Sequence, residues 1–251
     1  MLVSTRRDKI KEIILKKKAV KVSELCEIFK VSDETIRRDL EELERQGLVE
    51  RNYGGAVLKE NIIIPPLVKR FKEHTEEKQK IAAKALEEVK EGDVIFLDAG
   101  STTYHIARLL KNFKNITVVT NALNVATELA NNPNINLFIT GGKLKTDNHS
   151  MVGFETVNCI GKYNIDILFL GTGGISLEKG LTTSDIFEAE AKKAMIKSAR
   201  RVIVVADSSK FGKVAMVSFC TFDNVEKIIT SGEQNKEIIE ELKNYVEVEV
   251  V

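Results

Sequence analysis

The sequence predicts an α/β protein with a small helical module in front: an N-terminal winged helix-turn-helix, then a larger C-terminal domain built on a mainly parallel sheet. Short β-branched runs recur through the second part of the chain, at Val94–Leu97, Ile116–Val119, Ile135–Ile139, Ile165–Leu170, Val202–Val205 and Lys227–Ile229. Most are continuously apolar, as strands covered on both faces require. Helix-length segments separate them, which parallel pairing needs. Ahead of them, residues 22–40 place apolar side chains at helical spacing on both sides of a short turn.

The length of 251 residues accommodates one small and one medium domain, and 43% hydrophobic residues supports real cores. A net charge of +1 gives no global basic signal. Residues 1–21 nevertheless carry eight Lys and Arg against Asp8 and Glu12, a local excess of six where a DNA backbone would lie. No run of 18 apolar residues and no signal-peptide pattern occurs, so a cytoplasmic protein with no membrane partner is expected. Cys26, Cys159 and Cys220 are odd in number and widely spaced, which reads as small core residues rather than disulfides. His74, His105 and His149 have no companion at metal-ligand spacing, so neither a metal nor a cofactor is expected.

In the front module, Ser23 is expected to cap a helix burying Leu25, Ile28 and Phe29. Val31 fills the turn, and Ser32 caps a second helix with Ile36, Leu40 and Leu43 on its core face. Advancing about 100° per residue from Ile36 puts Arg38 nearly opposite that stripe, with Glu34 and Arg45 beside it and Thr35 and Arg37 on the flanks. Adjacent guanidiniums and a hydroxyl on a short capped helix suit base and phosphate contacts in a DNA groove. The same residues, set among Glu34, Asp39 and Glu41, also fit an ordinary solvated face. The helix is expected to stop near Gln46-Gly47, and Leu48–Val57 turns like a small β-hairpin able to lay Arg51, Asn52 or backbone amides on phosphates.

At Ser32-Asp33-Glu34-Thr35-Ile36-Arg37-Arg38-Asp39-Leu40, Gly47-Leu48 and Gly54-Gly55-Ala56 the chain resembles the DeoR-type transcription regulators. The resemblance implies a winged helix-turn-helix over residues 1–58 that binds double-stranded operator DNA, with contacts from Ser32, Glu34, Thr35, Arg37, Arg38 and Arg51.

Residues 59–74 are expected to form a linker. Pro65-Pro66 remove two backbone donors and hold Ile64 extended, Ile62 to Ile64 pack on a domain, and Leu67 to His74 form a basic helical stretch. Residues 75–251 then form the second domain. Thr75-Glu76-Glu77 starts a helix with Ile81, Ala82, Ala85, Leu86 and Val89 on one face. Further helices are expected over Thr103–Lys111, Leu123–Ala130, Phe154–Cys159, Ile186–Ala199 and Asn235–Asn244.

Ligands of parallel sheets gather at the strands' carboxyl ends. After the first strand, Asp98-Ala99-Gly100-Ser101-Thr102-Thr103 runs into a helix and forms a cradle suited to a phosphate monoester. It is neither a Walker loop nor a dinucleotide fingerprint. Thr120-Asn121, Gly141-Gly142-Lys143, Gly171-Thr172-Gly173-Gly174 and Asp207-Ser208-Ser209-Lys210-Phe211-Gly212-Lys213 add small, hydroxylic or cationic groups at successive strand ends. Five such loops on one rim suit a polyhydroxylated anion. Asp98, Asn121 and Asp185 can take sugar hydroxyls, and Lys210 or Lys213 can neutralise the phosphate.

These same segments, with Gly153 and Glu188, resemble the DeoR-type sensor domain, which is similar to the ribose-5-phosphate isomerase/CoA-transferase fold. The resemblance implies a repressor of sugar-metabolism genes, a dimer or tetramer of one chain, relieved by a phosphorylated sugar. It implies effector contacts from Gly100, Ser101, Thr102 and Thr103 as the cradle, and from Asp98, Asn121, Gly171, Gly173, Asp185, Glu188 and Lys210. The rival is an isomerase-like enzyme carrying a DNA-binding domain, since Glu188 and Lys210 have counterparts in the isomerase pocket. Related isomerases carry an acidic pair where this chain has Gly171-Thr172-Gly173-Gly174, a departure that favours binding without turnover. Residues 143–152 form a polar loop suited to choosing among sugars.

Overall fold

The strand Ala19–Lys21 (β1) runs directly into the helix Val22–Phe29 (α1), and that junction organises the front of the chain. The helix Asp33–Arg45 (α2), the strand Val49–Asn52 (β2) and the strand Gly55–Leu58 (β3) complete this part, with the antiparallel strand order β1-β3-β2. The computed structural model describes residues 6–7, 9–10, 13–14, 17–45, 49–58, 65–232 and 236–251. It divides into two compact units, Met1–Ile63 and Ile64–Val251. The expected helix end at Gln46-Gly47, the expected packing of Ile62 to Ile64 and the expected helix start at Asn235 lie outside the described residues.

In the first unit, Ile36, Leu40 and Leu43 pack with Ile10, Ile14, Val20, Val22, Leu25, Val49 and Ala56 in one core. Ser32 caps α2 as expected: its carbonyl accepts from the Ile36 amide at 3.2 Å, and its hydroxyl faces the Thr35 amide at 3.4 Å. Ser23 does not cap α1. The strand residue Lys21 holds the N-cap position, and the Val22 amide is already bonded to the Gly54 carbonyl of the wing at 2.9 Å. Ile28 is likewise not buried but 49% exposed, because Val22 and Leu25 turn the helix's inner face away from it. The first strand was absent from the sequence reading, and Gly55 explains its fit. A Cβ there would meet the Val20 carbonyl oxygen at 1.9 Å, so only glycine lets the wing lie against β1.

The second unit begins with the single helical turn Leu67–Arg70 (α3) and the helix Thr75–Ala85 (α4). Alternation follows: Val94–Leu97 (β4), Ser101–Leu110 (α5), Ile116–Thr120 (β5), Leu123–Leu129 (α6) and Ile135–Ile139 (β6). The hairpin Lys143–Lys145 (β7) and Ser150–Val152 (β8) comes next, where only a loop was expected, then Phe154–Ile160 (α7) and Ile165–Leu170 (β9). Gly174–Ser176 (β10), Gly180–Thr183 (β11), Ile186–Ser198 (α8), Ala199–Val205 (β12) and Val217–Cys220 (β13) lead to Lys227–Thr230 (β14), Lys236–Leu242 (α9) and Glu247–Val250 (β15).

Seven strands form one parallel sheet in the order β15-β14-β12-β9-β4-β5-β6. Successive residues serve opposite faces. Ile95 and Leu97, Ile167 and Phe169, and Ile203 and Val205 pack with α4, α5 and α6. Phe96, Leu168, Leu170, Val202 and Val204 pack with α7, α8 and α9. Both faces are covered, which is why these strands read as unbroken apolar runs. From β4 the chain winds outward to β5 and β6, while β9, β12, β14 and β15 build in the opposite direction. The reversal leaves a crevice at the carboxyl ends of β4 and β9.

Candidate functional site

Arg37 and Arg38 face solvent on α2, with side chains 49% and 73% exposed. Each meets a carboxylate one turn earlier on the same helix: Arg37 bonds Asp33, and the Arg38 Nε donates to Glu34 at 3.2 Å. The Ser32 and Thr35 hydroxyls lie 2.9 Å apart beside them. Arg51 on the wing donates through its backbone amide and its Nε to Glu44, both at 2.9 Å. Asp39, next in the arginine motif, is buried and accepts from Arg6 at 2.6 Å and Arg7 at 2.9 Å. Two of the basic residues counted near the amino terminus therefore hold α2 in place. Tyr53, unnoticed in the sequence reading, stands fully exposed at the wing tip. An aromatic residue inside a Gly-rich hairpin turn was the available signal.

The second unit carries a cavity at the β4–β9 crevice, lined among others by Gly100, Ser101, Thr102, Thr103, Gly171, Gly173, Glu188 and Lys210. Ser101 starts α5, two residues earlier than expected, and no side chain caps this helix. Its free amides and partial positive charge accordingly face the cavity. The Thr103 hydroxyl donates to the Gly100 carbonyl at 3.1 Å and closes the turn.

Four further groups complete the wall: Lys145 and Asn148 from the polar stretch 143–152, and Arg70 and Lys192, which sequence reasoning missed as site residues. Lys192 reaches from α8 to bond Asp98, and donates to the Gly171 carbonyl at 2.8 Å. Glu188 accepts from Lys145 at 2.9 Å, Asn148 at 3.0 Å and Thr183 at 2.7 Å. Burial pushes the Glu188 pKa up, but Lys192, Thr183 and Lys145 outweigh it and hold the carboxyl below its ordinary value. Arg70 is different. Its Nε donates to the Pro65 carbonyl at 2.9 Å and its Nη2 to the Asn148 side-chain oxygen, both neutral acceptors. Burial pushes its pKa down, against the pull of Glu188 and Asp98. Burial likewise lowers the Lys210 pKa, with Asp207 opposing and Arg70, Lys213 and Lys78 reinforcing. Among the described residues, neither Arg70 nor Lys210 has a carboxylate within ion-pair distance. The cavity thus holds a surplus of cationic groups beside a helix amino terminus.

Three expected effector contacts are placed otherwise. Asp185 caps α8, accepting from the Phe187 and Glu188 amides at 2.8 and 3.1 Å, and does not line the cavity. Asn121 donates to the Met151 carbonyl at 3.2 Å and pins β8, since β5 lies on the far side of β4 from the crevice. Asp98 is buried behind the wall, held by Lys192 and by the Gly171 amide at 3.0 Å. Of the five expected loops, the ends of β5 and β6 stand aside for the same reason of strand order.

His74, Glu77 and Asp207 bring ligand atoms within 4.8 Å of one another, a proximity the spacing did not reveal. Their charge is already answered by the protein. Glu77 accepts from the Ser208 amide at 2.9 Å and from His74, and the Lys78 ammonium lies 3.7 Å from Asp207.

A winged helix-turn-helix with an outward arginine pair, in one chain with a parallel α/β unit, defines the class: a DNA-binding transcriptional regulator with an appended sensor. The chain belongs to the DeoR family of transcriptional regulators. Residues 6–61 match the DeoR-like helix-turn-helix domain, and residues 73–232 match the DeoR C terminal sensor domain. Among similar curated proteins, the HTH-type transcriptional regulator IolR of Bacillus subtilis (strain 168) is 38% identical over 90% of this chain and 90% of its own length. The glycerol-3-phosphate regulon repressor of Escherichia coli (strain K12) is 36% identical, covering 92% of this chain and 91% of that protein. Among solved structures, ribose 5-phosphate isomerase A from Methanocaldococcus jannaschii aligns at 20% identity over 55% of each chain, with a TM-score of 0.42.

Proposed function

We propose that the protein is a repressor of sugar-metabolism genes whose grip on its operator is relieved when a phosphorylated sugar or polyol fills the β4–β9 cavity. The carrying observation is the pairing of Arg70 and Lys210, both without a carboxylate partner among the described residues, with the uncapped start of α5. A dianionic phosphate monoester supplies the charge and the acceptors that this wall lacks. Ser101, Thr102 and Thr103 hold the phosphate, while Glu188, Lys145 and Asn148 meet the hydroxyl-bearing end. The name of the Escherichia coli relative refers to glycerol 3-phosphate, a member of this chemical class.

The cavity binds without turnover. Glu188 is held ionised by three donors, which makes it a poor proton acceptor, and Asp98 is spent on Lys192. The loop 171–174 offers no carboxylate. On the DNA side, Arg37 and Arg38 reach base edges, Thr35 and Ser32 contact base or phosphate, and Arg51 leaves Glu44 to meet a phosphate. A homo-oligomer places two winged units on operator half-sites. Arg70 stands on the segment that leads back to the winged unit, so a phosphate drawing on Arg70 acts on that segment and shifts the population away from the operator-bound arrangement. Among the described residues no helix is long and apolar enough to cross a membrane, and the cytoplasm, where the DNA lies, is the site of action.

The test is a thermal-shift series of sugar and polyol phosphates, each beside its unphosphorylated form. At a hundredfold excess over Kd, a true effector raises Tm by roughly 6 °C, and Lys210→Ala removes the shift. Equal shifts from both forms, or none from any, overturn the proposal. Isomer formation above background in the same mixtures would restore the enzyme reading.

A further inference from the structure

On α2 the two outward guanidiniums are each held by the carboxylate one turn toward the helix start, the favourable order for such pairs. The atoms used matter. Arg38 meets Glu34 through Nε alone at 3.2 Å, which leaves its Nη1 and Nη2 edge without a partner among the described residues. Arg37 meets Asp33 chiefly through Nε, with Nη2 reaching the second oxygen at 3.5 Å. The two-nitrogen edge of a guanidinium is the one that matches guanine O6 and N7. All four side chains are 49–73% exposed, so these pairs do not build the core.

We propose that Glu34 and Asp33 are positioning residues for operator reading: they hold Arg38 and Arg37 by the rear nitrogen with the reading edge outward, and deny both arginines to random DNA. The inference rests on the reading of Arg37 and Arg38 as the DNA-facing pair. Two effects act together. Clamping Nε removes rotamer freedom before binding, which favours a site that needs one fixed orientation and does little for loose phosphate contact. Each carboxylate also cancels one positive charge on this face and repels phosphates that are not held off by a matched base. The net result is a face neutral in sum yet correctly aimed. Affinity for any sequence then comes from elsewhere in the unit, and discrimination comes from here.

The test compares two duplexes in fluorescence anisotropy across a salt series: one selected from a random library by the unaltered full-length chain, and one scrambled. Asp33→Asn/Glu34→Gln is expected to bind the scrambled duplex about tenfold more tightly, with the slope of log K against log salt steeper by about 2, near 0.9 for each arginine freed to a phosphate. Its ratio of selected to scrambled affinity is expected to fall at least tenfold. Glu27→Gln/Glu41→Gln removes the same charge from residues with no basic partner within ion-pair distance among the described residues, and is expected to leave that ratio within about threefold of the unaltered chain. An unchanged ratio in the first variant, or an equal fall in the second, overturns the proposal. Glu34→Gln alone serves if the double variant loses helical circular dichroism. Arg38→Ala separates the two readings. If it leaves affinity for the selected duplex intact, the DNA-facing assignment itself fails; if it weakens that affinity while Glu34→Gln keeps the ratio, only the positioning role fails.

Discussion

Lys192 and Asp98 show how much of the sensor unit depends on single buried charges. Both side chains are under 10% exposed, and they come from α8 and from the residue after β4. Lys192→Met strands the Asp98 carboxylate with only the Gly171 amide, so a loss of about 3–5 kcal/mol is expected in denaturant unfolding. Asp98→Asn combined with Lys192→Met is expected to recover most of it, because the cost lies in the unpaired charge rather than in a lost contact. His105 is a second buried group with a readable consequence. Its Nε2 has no hydrogen-bond partner among the described residues, and burial, with repulsion from Arg108 and Lys78, pushes its pKa below the ordinary value. The unfolded chain takes up a proton near pH 6.5, more readily than the folded imidazole, so stability falls as pH drops. That fall is expected as pH drops through about 6.5, and His105→Asn should flatten that part of the slope in parallel melts. At this scale the sequence showed that Gly100 to Thr103 stand together, since they are consecutive, and the structure places all four on the cavity wall. Arg70, the pair Lys145 and Asn148 of the β7–β8 hairpin, and Lys192 come from three separated segments, and nothing local joins those segments.

Two helix starts in the sensor unit are built in opposite ways. Asp185 accepts the Phe187 and Glu188 amides and completes α8, whereas α5 has no side-chain cap and leaves its first amides to the cavity. In sequence both are a polar residue after a strand, and both suit a ligand. Only the finished hydrogen bonds tell a structural cap from an open anion site. Asp185→Ala is therefore expected to cost about 1 kcal/mol of stability in urea unfolding while leaving the midpoint of effector titration within about twofold. A large rise in that midpoint would return Asp185 to the ligand. The hairpin of β7 and β8 is a related case. A polar stretch, legible only as a loop, pairs Lys143 with Val152 and Lys145 with Ser150, and so carries Lys145 and Asn148 to Glu188. In the front unit, periodicity placed Ile36, Leu40 and Leu43 correctly because α2 buries one stripe against one core. The cap of α1 was misread because the wing, not Ser23, takes the Val22 amide.

Across the whole sheet of the sensor unit, the strand order decides where the site falls. At the amino-terminal ends of β12 and β14, Arg201 joins Glu226 and Glu88, and Lys227 joins Glu88, Glu247 and Glu249 at 2.8, 3.1 and 3.4 Å. This network ties β15, which was not foreseen, to the rest of the sheet. Lys227→Met is expected to lower stability by about 1 kcal/mol, more than an isolated surface pair contributes, and the loss should shrink in high salt. The sequence by itself determined the two-part plan, the second helix of the front unit with its outward arginines, the parallel sheet and the glycine-hydroxyl turn that runs into α5. Each of these is written in short-range periodicity or in adjacent residues, where the chain's own geometry settles which side chains share a face. Tertiary structure alone decided that β9 lies between β4 and β12, that the cavity therefore opens at the ends of these three strands rather than at five, and that Arg70 and Lys192 reach it. Those facts follow from long-range pairing of similar apolar strands, whose order depends on the packing of both sheet faces and leaves no mark in any one strand.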